Sequence, residues 1–186
     1  MNRLYTVAYP ELNARDRAFI DDFRLRHHRH FGPIVAPHYT LVFGCAAVAE
    51  PDYLHHAQAV AAGTSAIAFC CRYAMLGADD EDDTAYVFLV PDEGYAKISL
   101  LHDRLYTGPL AGHLRLDLPY IPHITIGRLG SRIEAKALCD ELNRRGVEVH
   151  GALGALSVGA LREGVFTDLA TYALQSPAQT ALGEVS

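Results

Sequence analysis

The sequence predicts an α+β fold built from a duplicated strand–helix unit. Three observations predict it. Nearly the same phrase occurs twice, PHYTLVF at Pro37–Phe43 and PHITIGR at Pro122–Arg128. Each copy sits in a run of β-forming residues that is followed by a helical pattern. Successive strand candidates are mostly joined by tight loops, which favours antiparallel or mixed sheets over parallel crossovers. With 186 residues, a single domain over 1–176 has core enough to need no staples, and 177–186 reads as a tail.

Along the chain, LYTVAY at Leu4–Tyr9 is a short strand stopped by Pro10. Leu12, Phe19, Ile20 and Phe23 recur at helical spacing up to about Arg29. HYTLVFGC forms the next strand. Pro51 opens a helix that carries Leu54, Ala57 and Ala61 on one side and ends at Gly63. SAIAFCCRYAML and TAYVFLV are two strands separated by the acidic loop GADDEDD. A helix follows with Ile98, Leu101 and Leu105 on its apolar face, broken by TGPLAG. After the second motif strand, Ser131 and Glu134 form a capping-box pattern, and the helix they open stops at Gly146. Strands around 147–161 and 166–174 complete the order.

The net charge of −6 argues against an extended grip on nucleic acid, which needs many Lys and Arg, but leaves room for a nucleotide or an RNA end. Cys45, Cys70, Cys71 and Cys139 show no CxxC spacing and read as buried, reduced thiols. The N-terminal stretch has no long apolar segment, and no uncharged run is long enough for a bilayer, so a cytoplasmic, membrane-free protein is expected, as a monomer.

On a strand, residues i and i+2 face the same side. His38 and Thr40 therefore share one face while Tyr39 and Leu41 share the other; His123 and Thr125 likewise oppose Ile124 and Ile126. Core packing explains the apolar face. A solvated face has no reason to choose His and Thr twice, so the repetition needs a chemical explanation. Two imidazoles flanking one groove can act as general base and general acid, since their ordinary pKa of about 6.5 makes both protonation states accessible. Each threonine hydroxyl can donate to a non-bridging phosphate oxygen as charge builds on it. This matches phosphoester chemistry, with no metal or other cofactor required.

On these residues the chain resembles the 2H phosphoesterase superfamily, the group of 2′-5′ RNA ligase-like proteins and cyclic phosphodiesterases, which is defined by two His-x-Thr/Ser-x motifs. His38-Tyr39-Thr40-Leu41 and His123-Ile124-Thr125-Ile126 fit without a mismatch, and FRLRHHRHFGPIVAPHYTLVF and ISLLHDRLY also resemble family members. The resemblance implies a bilobal fold whose two similar lobes form a central groove. It implies His38 and His123 as the acid–base pair and Thr40 and Thr125 as phosphate ligands. The implied reaction is opening of a 2′,3′-cyclic phosphate or cleavage of a 2′-5′ linkage, with ligation as the reverse. The implied partner is a nucleotide or RNA terminus.

Two further residues are candidates for substrate binding. Arg128 could contact phosphate, though strict alternation puts it opposite His123 unless the strand ends or bulges after Gly127. Tyr120 could stack on a base. The basic cluster Arg24, Arg26, His27, His28, Arg29 and His30 lies near a helix end, where cations complement the dipole without further function. Neighbouring His27 and His28 point apart on a helix, so a zinc hydrolase is the weaker reading. The acidic run Ala78–Asp83 lacks calcium-loop spacing, and His55-His56 reads as helix surface. A non-catalytic module that binds nucleotides or RNA ends in the same groove is the alternative to an enzyme.

Overall fold

The computed structural model describes residues 3–27, 35–78, 84–162 and 165–176. In chain order the elements are β1 (Leu4–Ala8), β2 (Glu11–Leu12), α1 (Ala14–His27), β3 (Tyr39–Cys45), α2 (Glu50–Ala62), β4 (Ile67–Ala78) and β5 (Ala85–Glu93). They continue as α3 (Tyr95–Leu105), a 3₁₀ turn (Gly108–His113), β6 (Ile124–Leu129), α4 (Arg132–Arg144), β7 (Val149–Leu153), β8 (Ala155–Arg162) and β9 (Val165–Ala173). Local chemistry sets the helix ends. Pro51 stands in the first turn of α2, where its missing N–H has no partner to lose, and Gly63 closes that helix. Ser131 caps α4 by accepting from the Glu134 N–H, which realises one half of the capping box. The acidic loop after Ala78, His28–His30 and the tail from 177 lie outside the described residues.

The strands form two antiparallel sheets, β3-β1-β8-β9 and β2-β7-β4-β5-β6. The stretch expected as one strand around 147–161 is two. Apolar residues continue on both sides of Gly154, but there the chain leaves the second sheet as β7 and enters the first as β8. Each motif strand, β3 and β6, is an edge of its own sheet. The helix after each motif covers its own sheet, α2 lying on β8 and β9 and α4 on β4 and β5. The helices ahead of the motifs reach across: α1 leads towards β3 but packs on β6, and α3 leads towards β6 but packs on β3 as well as on β4 and β5.

The apolar halves of the motifs anchor the core as the two-residue period requires: Tyr39, Leu41, Ile124 and Ile126 are fully buried. All four cysteines are buried and free. The outward polar groups of edge strand β3 are satisfied by side chains from the other lobe. His102 Nδ1 donates to the Leu41 carbonyl at 2.8 Å, the Phe43 N–H donates to the Tyr106 hydroxyl at 3.1 Å, and the Tyr120 hydroxyl donates to the Thr40 carbonyl at 3.1 Å. Capping of this kind keeps an edge from pairing with another chain. Among the described residues no helix is long and apolar enough to cross a membrane.

Candidate active site

The proline of each motif acts on the residue before it. A proline restricts its predecessor to extended backbone, here Ala36 before Pro37 and Ile121 before Pro122. The carbonyls so oriented are the ones the histidines use. His38 Nδ1 lies 2.8 Å from the Ala36 oxygen and His123 Nδ1 lies 2.6 Å from the Ile121 oxygen. A carbonyl can only accept, so Nδ1 carries the proton in both rings and Nε2 holds the lone pair of the neutral form. The same i−2 contact in both halves fixes both rings in the tautomer that can take a proton at Nε2.

The strands then do something the alternation rule does not predict. In β1–β3 pairing, Val7 opposes Thr40 while Thr6 opposes Val42, so Leu41 is an extra residue. In β5–β6 pairing, Phe88 opposes Thr125 while Val87 opposes Gly127, so Ile126 is extra. Both strands bulge at the residue after the motif threonine, which leaves Leu41 and Val42, and Ile126 and Gly127, buried in succession. A bulge reverses the face of everything beyond it. The bulge that Arg128 needs therefore exists, one residue earlier than Gly127.

Ring contacts place Arg128 on the His123 side. His123 stacks on Phe88 with centroids 3.8 Å apart, Phe88 stacks on Tyr86 at 5.9 Å, and the Arg128 guanidinium lies 5.9 Å from the Tyr86 centroid. Tyr120 is held differently. Its ring lies flat on His102, with centroids 3.7 Å apart and planes 3° from parallel, and its hydroxyl is given to the Thr40 carbonyl. One ring face and the polar end are thus used in setting the position of the Thr40 strand.

Three groups that the motifs do not name complete the site. Arg24 is buried and its guanidinium joins the halves, with Nη2 donating to the Val35 carbonyl at 2.7 Å and Nη1 to the Thr125 carbonyl at 3.3 Å. Arg24 does stand in the last turn of α1, where a cation complements the dipole, but its guanidinium has this further bonding role that the dipole reading did not foresee. Arg24 follows Ile20 by one helical turn and shares its buried stripe, a signal legible in the spacing. Tyr9 lies edge-on to His38 at 6.3 Å between centroids and donates its hydroxyl to Asp168 Oδ1 at 3.1 Å. Of the rest of the basic cluster, Arg26 pairs with Asp22 and His27 rests on the Phe23 ring. His55 is exposed, and His56 bonds the Leu105 carbonyl at 2.9 Å.

Burial is the largest influence on both histidines and disfavours their charged forms. It pushes His123 down to about 4; the Ile121 carbonyl partly offsets this and the charge of His38 adds to it. Burial also lowers His38, opposed by the Ala36 carbonyl, with Arg24 lowering and Asp168 raising it further. The two imidazoles sense each other electrostatically although their strands belong to different sheets.

Residues 10–164 match the model of the 2′-5′ RNA ligase superfamily. The chain belongs to that superfamily. Among solved structures, this superfamily member is similar in fold to a protein described as a phosphoesterase, with 20% identity and a TM-score of 0.58 over 94% of this chain and 98% of that one. It is similar to E. coli LigT complexed with 3′-AMP, at 20% identity and a TM-score of 0.55 over 94% and 98% of the two chains. It also resembles Kluyveromyces marxianus Usb1 with uridine monophosphate, at 8% identity and a TM-score of 0.54 over 93% and 98%. At these identities the likeness is one of architecture, the duplicated two-lobed fold. No curated protein matches the chain at a significant level.

Proposed function

We propose that this protein is a phosphoesterase that opens 2′,3′-cyclic phosphates, or cleaves 2′-5′ linkages, at nucleotide or RNA ends, without a metal in the reacting site. The observation that carries the reading is the matched pair of histidines, each tethered through Nδ1 to its own i−2 carbonyl with a motif threonine beside it. One Nε2 takes the proton from attacking water while the other, protonated, delivers its proton to the departing ribose oxygen. Thr40 and Thr125 hydroxyls donate to non-bridging oxygens, and Arg128 adds a cation on the His123 side. The stack from His123 through Phe88 to Tyr86 keeps one ring from turning, so less order has to be imposed on reaching the transition state. The fold's similarity to structures bearing 3′-AMP and uridine monophosphate supports a nucleotide substrate.

The test is a turnover screen over 2′,3′-cyclic mononucleotides, cyclic-phosphate-ended RNA and 2′-5′ dinucleotides, with and without chelator. Chelator-insensitive hydrolysis of at least one of them is the expected result. Tight binding with no turnover of any would replace this reading with a binding module.

The lowered pKa values carry a sign. Catalysis needs one imidazole protonated, and both are held below the ordinary 6.5. The singly protonated form of the free enzyme therefore grows as pH falls below 6.5, and kcat/KM peaks on the acid side of that value. An anionic substrate raises both pKa values, so the kcat profile is displaced to higher pH than that of kcat/KM. A kcat/KM maximum on the alkaline side of 6.5 would contradict the assignment.

Gly77 offers a test at a distance. A Cβ there would stand 2.3 Å from a ring carbon of Phe88, so Gly77→Ala must push that ring against His123. Turnover is expected to drop by roughly 10- to 100-fold, the usual cost of misplacing a catalytic group by about an ångström. Unchanged kcat in a folded Gly77→Ala protein would show that the Phe88 stack does not position His123.

A further inference from the structure

A second cluster of reactive side chains lies on the second sheet, on strands that do not carry the motifs. Cys70 on β4 and His150 on β7 are direct cross-strand partners, and Glu148 stands just ahead of β7. Cys70 Sγ is 3.7 Å from His150 Nε2, and that nitrogen is 3.2 Å from Glu148 Oε1. The three ligand atoms all lie within 4.8 Å of one another. Atoms bound to one zinc ion at about 2.0–2.3 Å in tetrahedral directions stand roughly 3.2–3.8 Å apart. Two of the separations already fall in that range without a metal.

We propose that Cys70, Glu148 and His150 form a binding site for a zinc-class divalent cation, separate from the phosphoester groove. Thiolate, imidazole and carboxylate are the donor set that a borderline-soft ion takes, whereas calcium or magnesium would want oxygen alone. Asp92, Glu93 and Glu148 surround the thiol together with Arg72, which ties all three carboxylates at 2.7, 2.7 and 3.0 Å, while the nearby Arg15 guanidinium, 3.4 Å from the Glu148 carbonyl, is itself paired with Asp16. The surroundings thus carry a net negative charge that favours a dication. Arg72 uses Glu148 Oε1, so metal binding draws that carboxylate from the guanidinium or recruits its second oxygen. The fourth tetrahedral position is left for water. On binding, the Cys70 thiol gives its proton to solvent and the sulfur lone pair forms the metal bond.

The position is built rather than accidental to one flexible side chain. The His150 backbone N–H donates to Asp16 Oδ2 at 2.9 Å, and Asp16 is itself buried at the start of α1. A metal bridging β4 and β7 would fasten this strand pair at the seat of α1. The ligands escape sequence reading because Cys70 and His150 are 80 residues apart and follow no helical or CxxC spacing.

The experiment adds Co²⁺ to chelator-treated full-length protein and reads the thiolate-to-cobalt charge-transfer band, then displaces it with Zn²⁺. One equivalent should give a tetrahedral spectrum that is lost in Cys70→Ser and kept in Cys71→Ser and Cys139→Ser. Glu148→Gln, an exposed change that leaves the core alone, should weaken binding at least about tenfold. Zn²⁺ at 100 times its Kd should raise the wild-type Tm by about 5–10 °C. No thiolate band at one equivalent, or a band that persists in Cys70→Ser, would overturn the proposal. Chelator treatment that leaves turnover intact is expected in either case, so the phosphoesterase reading stands or falls on its own assay.

Discussion

His123→Ala is expected to lower turnover of the cyclic phosphate substrate by roughly 10²–10⁴-fold, the contribution of one positioned acid or base. His38→Ala should cost a similar factor, and the double variant should cost far less than the product, because a base with no acid partner contributes little. The variants should fold: both rings lie at strand starts, and among the described residues the hydrogen bond each ring makes is to a carbonyl two residues upstream. The measurement is single-substrate kinetics on each variant with a circular-dichroism check of the fold. Full activity in His123→Ala on every cyclic phosphate would remove the acid–base pair from consideration.

The second large effect concerns Arg24. Arg24→Met keeps the aliphatic length but leaves the Val35 and Thr125 carbonyls without their guanidinium donors. Two opposing terms decide the outcome. Removing a buried cation recovers desolvation free energy, the same burial that lowers the Arg24 pKa. Stranding two acceptors at the seam costs more, since hydrogen bonds to charged donors are worth about 1.5–3 kcal/mol each. A net loss of about 2–4 kcal/mol is expected, or about 5–12 °C in Tm for a chain of this size. The same change removes a charge that holds the His38 pKa down, so the limb of the pH–rate profile that follows His38 should move to higher pH while the limb set by His123 stays nearly in place. A Tm within about 1 °C of wild type would mean that the seam does not depend on this residue.

What the sequence made legible follows from how far each signal reaches. The motif histidines and threonines could be read because a period of two, repeated 85 residues apart, survives any tertiary arrangement. The side on which Arg128 emerges depends on bulges at Leu41 and Ile126, and nothing in an apolar residue announces that it will be doubled against its partner strand. Arg24 stood in plain view inside a basic run, yet the helix dipole explained the run well enough to hide a buried member that shares a stripe with Ile20. Phe88 reads as an ordinary strand residue; only the pairing of β5 with β6 puts its ring under His123. The split of β7 from β8 was missed for a related reason, since small and apolar residues repeat on both sides of Gly154 while the chain changes sheets.

The exchange of α1 and α3 between the lobes has a mechanical consequence. Each half holds the other's reactive strand by a helix reached through its own chain: Arg24 of α1 bonds β6, and His102 of α3 bonds β3. Spreading the halves to admit a substrate would tear both clasps at once. The cleft therefore behaves as a fixed-gauge slot rather than a jaw, and what enters must fit the width already set. It follows that the chain cannot be cut into two autonomous halves. Each would lose the helix that braces its reactive strand, and neither would keep a complete set of proton carriers.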